Sequence, residues 1–140
     1  MQRKASAEWK GGLKDGKGTV SSASGILSHT PYSFTTRFEN APGTNPEELI
    51  AAAHAACFSM ALSAQLGSAN LTPESIATSA TLTLEKLESG WTITAVHLDV
   101  VAKIPGASAD TFNKLAQDAK ANCPVSKVLN AKITMDAKLV

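Results

Sequence analysis

The chain has 140 residues and a mass of 14.5 kDa, the size of one ordinary domain. Apolar residues make up 44% and charged residues 18%, enough for a real core and too apolar for wholesale disorder. Thirteen basic and twelve acidic side chains leave a net charge of +1, so there is no electrostatic footprint for nucleic acid or an anionic membrane.

The first 40 residues read as short strands separated by turns. Gly11-Gly12 and Asp15-Gly16-Lys17-Gly18 supply the turn chemistry. Alternation over Tyr32, Phe34, Thr36 and Phe38 predicts a strand, with Arg37 on the face opposite the aromatic row. A Pro-Gly loop follows. Thr44 or Asn45, then Pro46 and two glutamates, is a helix start, because proline and acids both suit a first turn. From Glu47 to Leu66 the chain is rich in alanine and leucine, which predicts a central helix apolar on nearly every side and buried all round.

Its longest apolar run, Leu49 to Leu62, is short of the roughly 20 residues a bilayer requires, and no secretory segment is visible. No membrane partner is expected, and the cytosol is the expected compartment.

Residues 74–104 predict a hairpin turning at Glu88-Ser89-Gly90, with a change of phase near Ala95 that suggests a bulge. Ala109, Phe112, Ala116 and Ala119 form a helical stripe. Asn122 to Ser126 opens a short helix, and Ile133, Met135, Ala137 and Leu139 alternate as a last strand. Strands at both ends of a helical middle argue for an α+β fold with an antiparallel sheet and a buried central helix. One small chain has little surface with which to cover such a helix, so a dimer is the simple remedy.

Two cysteines, Cys57 and Cys123, could carry chemistry. Cys57 lies inside the central helix, where a small buried hydrophobe is the bland alternative. Cys123 directly precedes Pro124, which disfavours α conformation and places the thiol at a helix start, a position that favours the thiolate. A free thiol of pKa ~8.5 is only about 3% ionised at pH 7. Bringing it to pKa ~6 requires roughly 3.4 kcal/mol, most of which one arginine at hydrogen-bonding range can supply. Arg37 precedes the loop into the helix, and Glu47 and Glu48 are available to fix its guanidinium. There is no Cys-x-x-Cys motif, no phosphate-binding loop and no nucleophile elbow. A metal site on His54, Cys57 and Cys123 is a remote third possibility.

The segments Gly43–Leu62 (GTNPEELIAAAHAACFSMAL) and Asn122–Leu129 (NCPVSKVL) resemble the two cysteine motifs of the OsmC/Ohr family, the osmotically inducible protein C and organic hydroperoxide resistance proteins. Trp9, Gly16–Thr19 and Pro31–Phe38 match as well, and the Ala-His before Ala-Ala-Cys resembles the OsmC branch. The resemblance covers nearly the whole chain. It implies a single OsmC-like domain over residues 1–140 and an intertwined homodimer with two active sites at the subunit interface. It implies a thiol peroxidase that reduces organic hydroperoxides, and hydrogen peroxide less well, without metal or other cofactor.

Carried over by position, Cys57 matches the peroxidatic cysteine and Cys123 the resolving one, with a Cys57–Cys123 disulfide between them. Arg37 matches the arginine that holds the thiolate, and Glu47 the glutamate that orients it. The reductant it implies is an external dithiol such as a lipoylated protein. A non-enzymatic, stress-associated binding protein with structural cysteines is the rival expectation.

Overall fold

The computed structural model describes residues 1–140, which divide into two compact units, Met1–Leu49 and Ile50–Val140.

In the first unit, β1 (Ala5–Lys10), β2 (Lys17–Ser22) and β3 (Thr30–Tyr32) form an antiparallel sheet in the order β1-β2-β3. Trp9 and Tyr32 lie on either side of β2, with ring centroids 5.5 Å apart. Gly18 makes this possible, because a Cβ there would sit 2.5 Å from Tyr32 Cζ and 2.7 Å from Trp9 Cε3.

The expected strand through Phe38 stops at Tyr32. Residues Phe34–Phe38 are instead a one-turn helix, α1. Local hydrogen bonding decides the matter. Ser33 Oγ accepts from the Thr36 N–H while Thr36 Oγ1 accepts from the Ser33 N–H, a reciprocal cap that outweighs a four-position alternation. The same aromatic spacing serves the helix. Phe34 and Phe38, four apart, pack with centroids 4.9 Å apart. Arg37 is not turned away from the aromatics; its guanidinium lies 5.1 Å from the centre of the Phe38 ring.

Helix α2 spans Pro46–Ser68 and is capped by Asn45, whose Oδ1 accepts the Glu48 N–H at 2.8 Å. By length and composition α2 could cross a membrane, with an 18-residue window of mean hydropathy 1.5. In this chain it is a core helix, but not one buried all round. The stripe His54, Phe58, Leu62 and Leu66, at every fourth position, is buried, while Ala53, Ala56, Met60 and Ala64 are exposed. Met60 is 75% exposed.

In the second unit, β4 (Ser75–Leu87) and β5 (Gly90–Lys103) form the expected hairpin. The register passes from Thr83–Ala95 to Leu84–Ile93, which leaves Thr94 as the extra residue of the bulge. Helices α3 (Ala109–Asn122) and α4 (Pro124–Val128) precede β6 (Lys132–Leu139). Strand β6 runs parallel to β5, so this sheet, ordered β4-β5-β6, is mixed rather than antiparallel. The helical connection between β5 and β6 returns the chain to the end from which β5 started, which a parallel neighbour requires. Val96, Leu98, Val100 and Ala102 on one face of β5 join Phe58, Leu62 and Leu66 of α2 and Phe112, Ala116 and Ala119 of α3 in a single core. Each large side chain buried there contributes roughly 1.5–3 kcal/mol relative to exposure.

Candidate active site

Cys57 and Cys123 lie 66 positions apart in sequence, yet their sulfurs are 3.0 Å apart as free thiols. Helix α2 presents Cys57 from the turn between His54 and Phe58, the residues that anchor the buried stripe. Cys123 is the residue at which α3 ends and α4 begins. Pro124 keeps it out of the helix, at φ −54° and ψ 124°, as the pre-proline restriction demands. Phe112, Ala116 and Ala119 dock α3 into the core, so the junction is held at a fixed place beside α2. Cys123 is fully buried and Cys57 partly so.

The two thiols differ in their electrostatics. Burial pushes Cys57 up, and the hydrogen bond and charge repulsion of Cys123 add to that; the Val125 N–H opposes them. Burial also pushes Cys123 up, but there the hydrogen bond to Cys57, the N–H and hydroxyl of Ser126 and the N–H of Val125 outweigh it and leave the thiol lowered. Within this unit the sulfur at the helix junction is therefore the readier thiolate, as its position before Pro124 implied. Cys57 has no cation among the groups that set it.

The expected cation and its carboxylate are joined in the other unit. Arg37 Nη2 donates to Glu47 Oε1 at 2.8 Å, and Arg37 Nε lies 3.2 Å from both Glu47 oxygens. This fork fixes the guanidinium plane. Glu47 is 12% exposed and Arg37 38%. Asn45 links the two segments, with Nδ2 donating to the Thr36 carbonyl at 3.0 Å while Oδ1 caps α2. Glu48 accepts from Thr44 Oγ1 instead and takes no part in the pair. Beside Arg37, the rings of Trp9, Tyr32, Phe34 and Phe38 line a cavity of about 250 Å³. The apolar residues expected to line a pocket divide differently. Phe58 is core, Met60 is exposed, and Leu49 borders a separate apolar cavity with Val20 and Tyr32.

His54, Cys57 and Cys123 do not form a metal site. The one group of metal-ligating atoms within 4.8 Å of one another is His97, Asp99 and Asp136 on β5 and β6. The residues that sequence reasoning under-read are His54 and Ser126. His54 Nε2 lies 2.7 Å from Ser126 Oγ, which joins α2 to α4. The available signal was the spacing, since His54 stands three residues before Cys57 and Ser126 three after Cys123.

Residues 38–138 match the family described as OsmC-like protein. The chain is 55% identical over 139 residues to "Peroxiredoxin OsmC" of Escherichia coli (strain K12), covering 99% of this chain and 97% of that protein. Among solved structures it is similar to the organic hydroperoxide resistance protein OhrB of Bacillus subtilis (25% identity, 96% and 98% of the two chains, TM-score 0.71). It is also similar to an organic hydroperoxide resistance protein from Elizabethkingia anophelis (25% identity, 100% and 99%, TM-score 0.74). The fold and the paired thiols are those of a thiol-dependent redox protein. The chain belongs to the OsmC-like family and is a peroxiredoxin-type peroxidase, a peroxide-reducing enzyme of the stress response. The rival expectation of a non-enzymatic binding protein falls with that membership.

Proposed function

We propose that the chain reduces organic hydroperoxides, and hydrogen peroxide less well, through a Cys57 sulfenic acid and a Cys57–Cys123 disulfide. The observation that carries this reading is the 3.0 Å approach of two free sulfurs 66 positions apart. The Cys57 thiolate attacks the terminal peroxide oxygen. The O–O bond breaks, the oxygen passes to sulfur, and the departing alkoxide takes a proton to become an alcohol. Cys123 then displaces hydroxide from the Cys57 sulfenic acid, giving the disulfide and water. An external dithiol, of which a lipoylated protein is one form, reopens the disulfide by exchange. No cofactor enters these steps.

Burial works against a thiolate at Cys57, so a cation must reach it. We assign that role to Arg37, with Glu47 holding its plane, and to an intertwined homodimer that brings the pair to Cys57. The exposed Ala53, Ala56, Met60 and Ala64 face of α2 is the surface such a dimer would cover. Residues 1–140 then act as one domain, in the cytoplasm. The aromatic cavity beside Arg37 suits the apolar tail of an organic hydroperoxide better than hydrogen peroxide.

One equivalent of an organic hydroperoxide should consume both free thiols, and a dithiol should restore them. Cys57→Ser should abolish turnover, whereas Cys123→Ser should allow one turnover and block recycling. Unchanged activity in Cys57→Ser, or a monomeric sedimentation mass at micromolar concentration, would overturn the corresponding part of the proposal.

A further inference from the structure

A closed Cys57–Cys123 disulfide offers two sulfurs to an incoming thiolate, and the fold treats them unequally. Cys123 is 0% exposed and belongs to the core that includes Phe112, Ala116 and Ala119 of α3. Cys57 is only partly buried and packs against that core from α2, where Ala56 and Met60 beside it are exposed. A thiolate breaks a disulfide by approaching one sulfur from the side opposite its partner, so access decides which sulfur is attacked. A fully buried sulfur in a close-packed core offers no such approach unless the core opens. Access to Cys57, by contrast, is already required by the first chemical step, in which peroxide must reach it. A slender thiol can use the same opening.

The leaving group favours the same direction. Burial pushes both thiols up, but at Cys123 hydrogen bonding outweighs it and leaves that thiol lowered, whereas Cys57 stays raised. The thiol of lower pKa is the faster to leave.

We propose that the reductant enters at Cys57: an external dithiol attacks the Cys57 sulfur, expels Cys123 as the leaving thiolate and forms its mixed disulfide with Cys57. This role of Cys57 rests on the peroxidase reading above and deepens its recycling step. One reductant sulfur bonds to Cys57 while the Cys57–Cys123 bond breaks, and the electron pair of that bond goes to Cys123. The second reductant thiolate then attacks the first reductant sulfur, closes a disulfide within the reductant and releases Cys57. Two electrons pass from the dithiol to the cysteine pair, and the two protons that the dithiol gives up end on the two cysteine thiols. Cys57 is thus the nucleophile toward peroxide and the electrophile toward the dithiol, and Cys123 never has to meet an external molecule.

A monothiol tests this, because it cannot close a ring and so leaves the mixed disulfide in place. The disulfide is formed in the native chain with diamide, exposed to a brief pulse of glutathione, quenched in acid and alkylated with N-ethylmaleimide. Peptide mass spectrometry should find glutathione on Cys57 and maleimide on Cys123, in excess of the reverse pattern by about tenfold or more. In the same disulfide-linked chain unfolded in guanidinium the excess should collapse, since burial no longer separates the two sulfurs. Glutathione on Cys123 at least as often as on Cys57 in the native chain overturns the proposal, and so does an excess that persists undiminished after unfolding. The mapping needs neither a substitution nor a peroxide. A failure of the peroxidase reading would therefore show as no sulfenic acid at Cys57 after hydroperoxide, with glutathione still mapping to Cys57. A failure of the entry role would show as sulfenic acid formed at Cys57 and glutathione mapping to Cys123.

Discussion

Oxidation of the cysteine pair should stabilise the fold, and the size of the effect follows from the geometry. The sulfurs must close from 3.0 Å to a bond of about 2.05 Å, a movement of about 1 Å. Cys123 is a non-helical junction residue between α3 and α4, so its rotation can supply most of that movement without breaking a helical turn. Linking residues 66 apart removes loop entropy from the unfolded chain worth about 4 kcal/mol at 25 °C. For a chain of this length that corresponds to a rise in Tm of roughly 10 °C. The assay compares thermal unfolding by circular dichroism for protein reduced with a phosphine and protein treated with one equivalent of hydroperoxide. Thiol titration and the loss of two hydrogens by mass spectrometry confirm the oxidised state. Cys123→Ser should show no rise. A fully oxidised protein that melts at or below the reduced one would refute the reasoning, because it would mean that closure requires the junction to unfold.

Other outcomes follow from the same contacts. If Arg37 serves the thiolate as proposed, Arg37→Met should slow sulfenic acid formation in rapid-mixing experiments by about 100-fold. Fold stability should change by under about 1 kcal/mol, since Arg37 is 38% exposed and solvent screens the pair; a rate within threefold of the parent, on the order of experimental scatter, would sink the role. Burial lowers His54, so below pH ~6.5 the unfolded chain binds a proton that the folded chain resists. The stability this contributes is whole above that pH and is lost as pH falls below it. Urea midpoints at neutral and mildly acidic pH should show the decline, with a smaller decline in His54→Gln. Gly18→Ala should lower Tm by several degrees and disturb the aromatic cavity, because the new methyl meets the Trp9 and Tyr32 rings. Near-ultraviolet circular dichroism would report the disturbance, and an unchanged aromatic spectrum would count against it.

Much of the C-terminal unit was legible in sequence because its signals are long. Eleven alternating residues in β4, an alanine-rich stretch free of internal proline in α2 and a clean apolar stripe in α3 each outweigh competing local preferences. Even the bulge at Thr94 showed as a change of phase. The short segment Phe34–Phe38 was misread because four alternating positions also satisfy an i, i+4 aromatic pair, and a reciprocal Ser33–Thr36 cap settles a single turn. The direction of β6 was not legible, since alternation is the same for a strand running either way.

The site divides along a similar line. Cys123 before Pro124 could be placed at a helix start from two adjacent residues, and the Arg37–Glu47 partnership was available once residue type and motif were known. His54 was visible only as a polar residue in an apolar run and as a remote candidate ligand beside Cys57 and Cys123. Its bond to Ser126 spans 72 positions, and no local pattern encodes such a distance.

By itself, the amino-acid sequence determined the order of the elements apart from α1, the pre-proline geometry of Cys123, the cap and apolar character of α2, and the inventory of thiols, arginine and acid. Those depend on steric and hydrogen-bonding rules that act over a few residues. Tertiary structure alone decided that the two sulfurs meet, that β6 lies parallel to β5, that α2 buries one stripe and leaves an alanine-rich face open, and that Ser126 meets His54. Each of these depends on which distant surfaces the core brings together, and burial of Phe58, Leu62 and Leu66 against β5 and α3 is the interaction that does so.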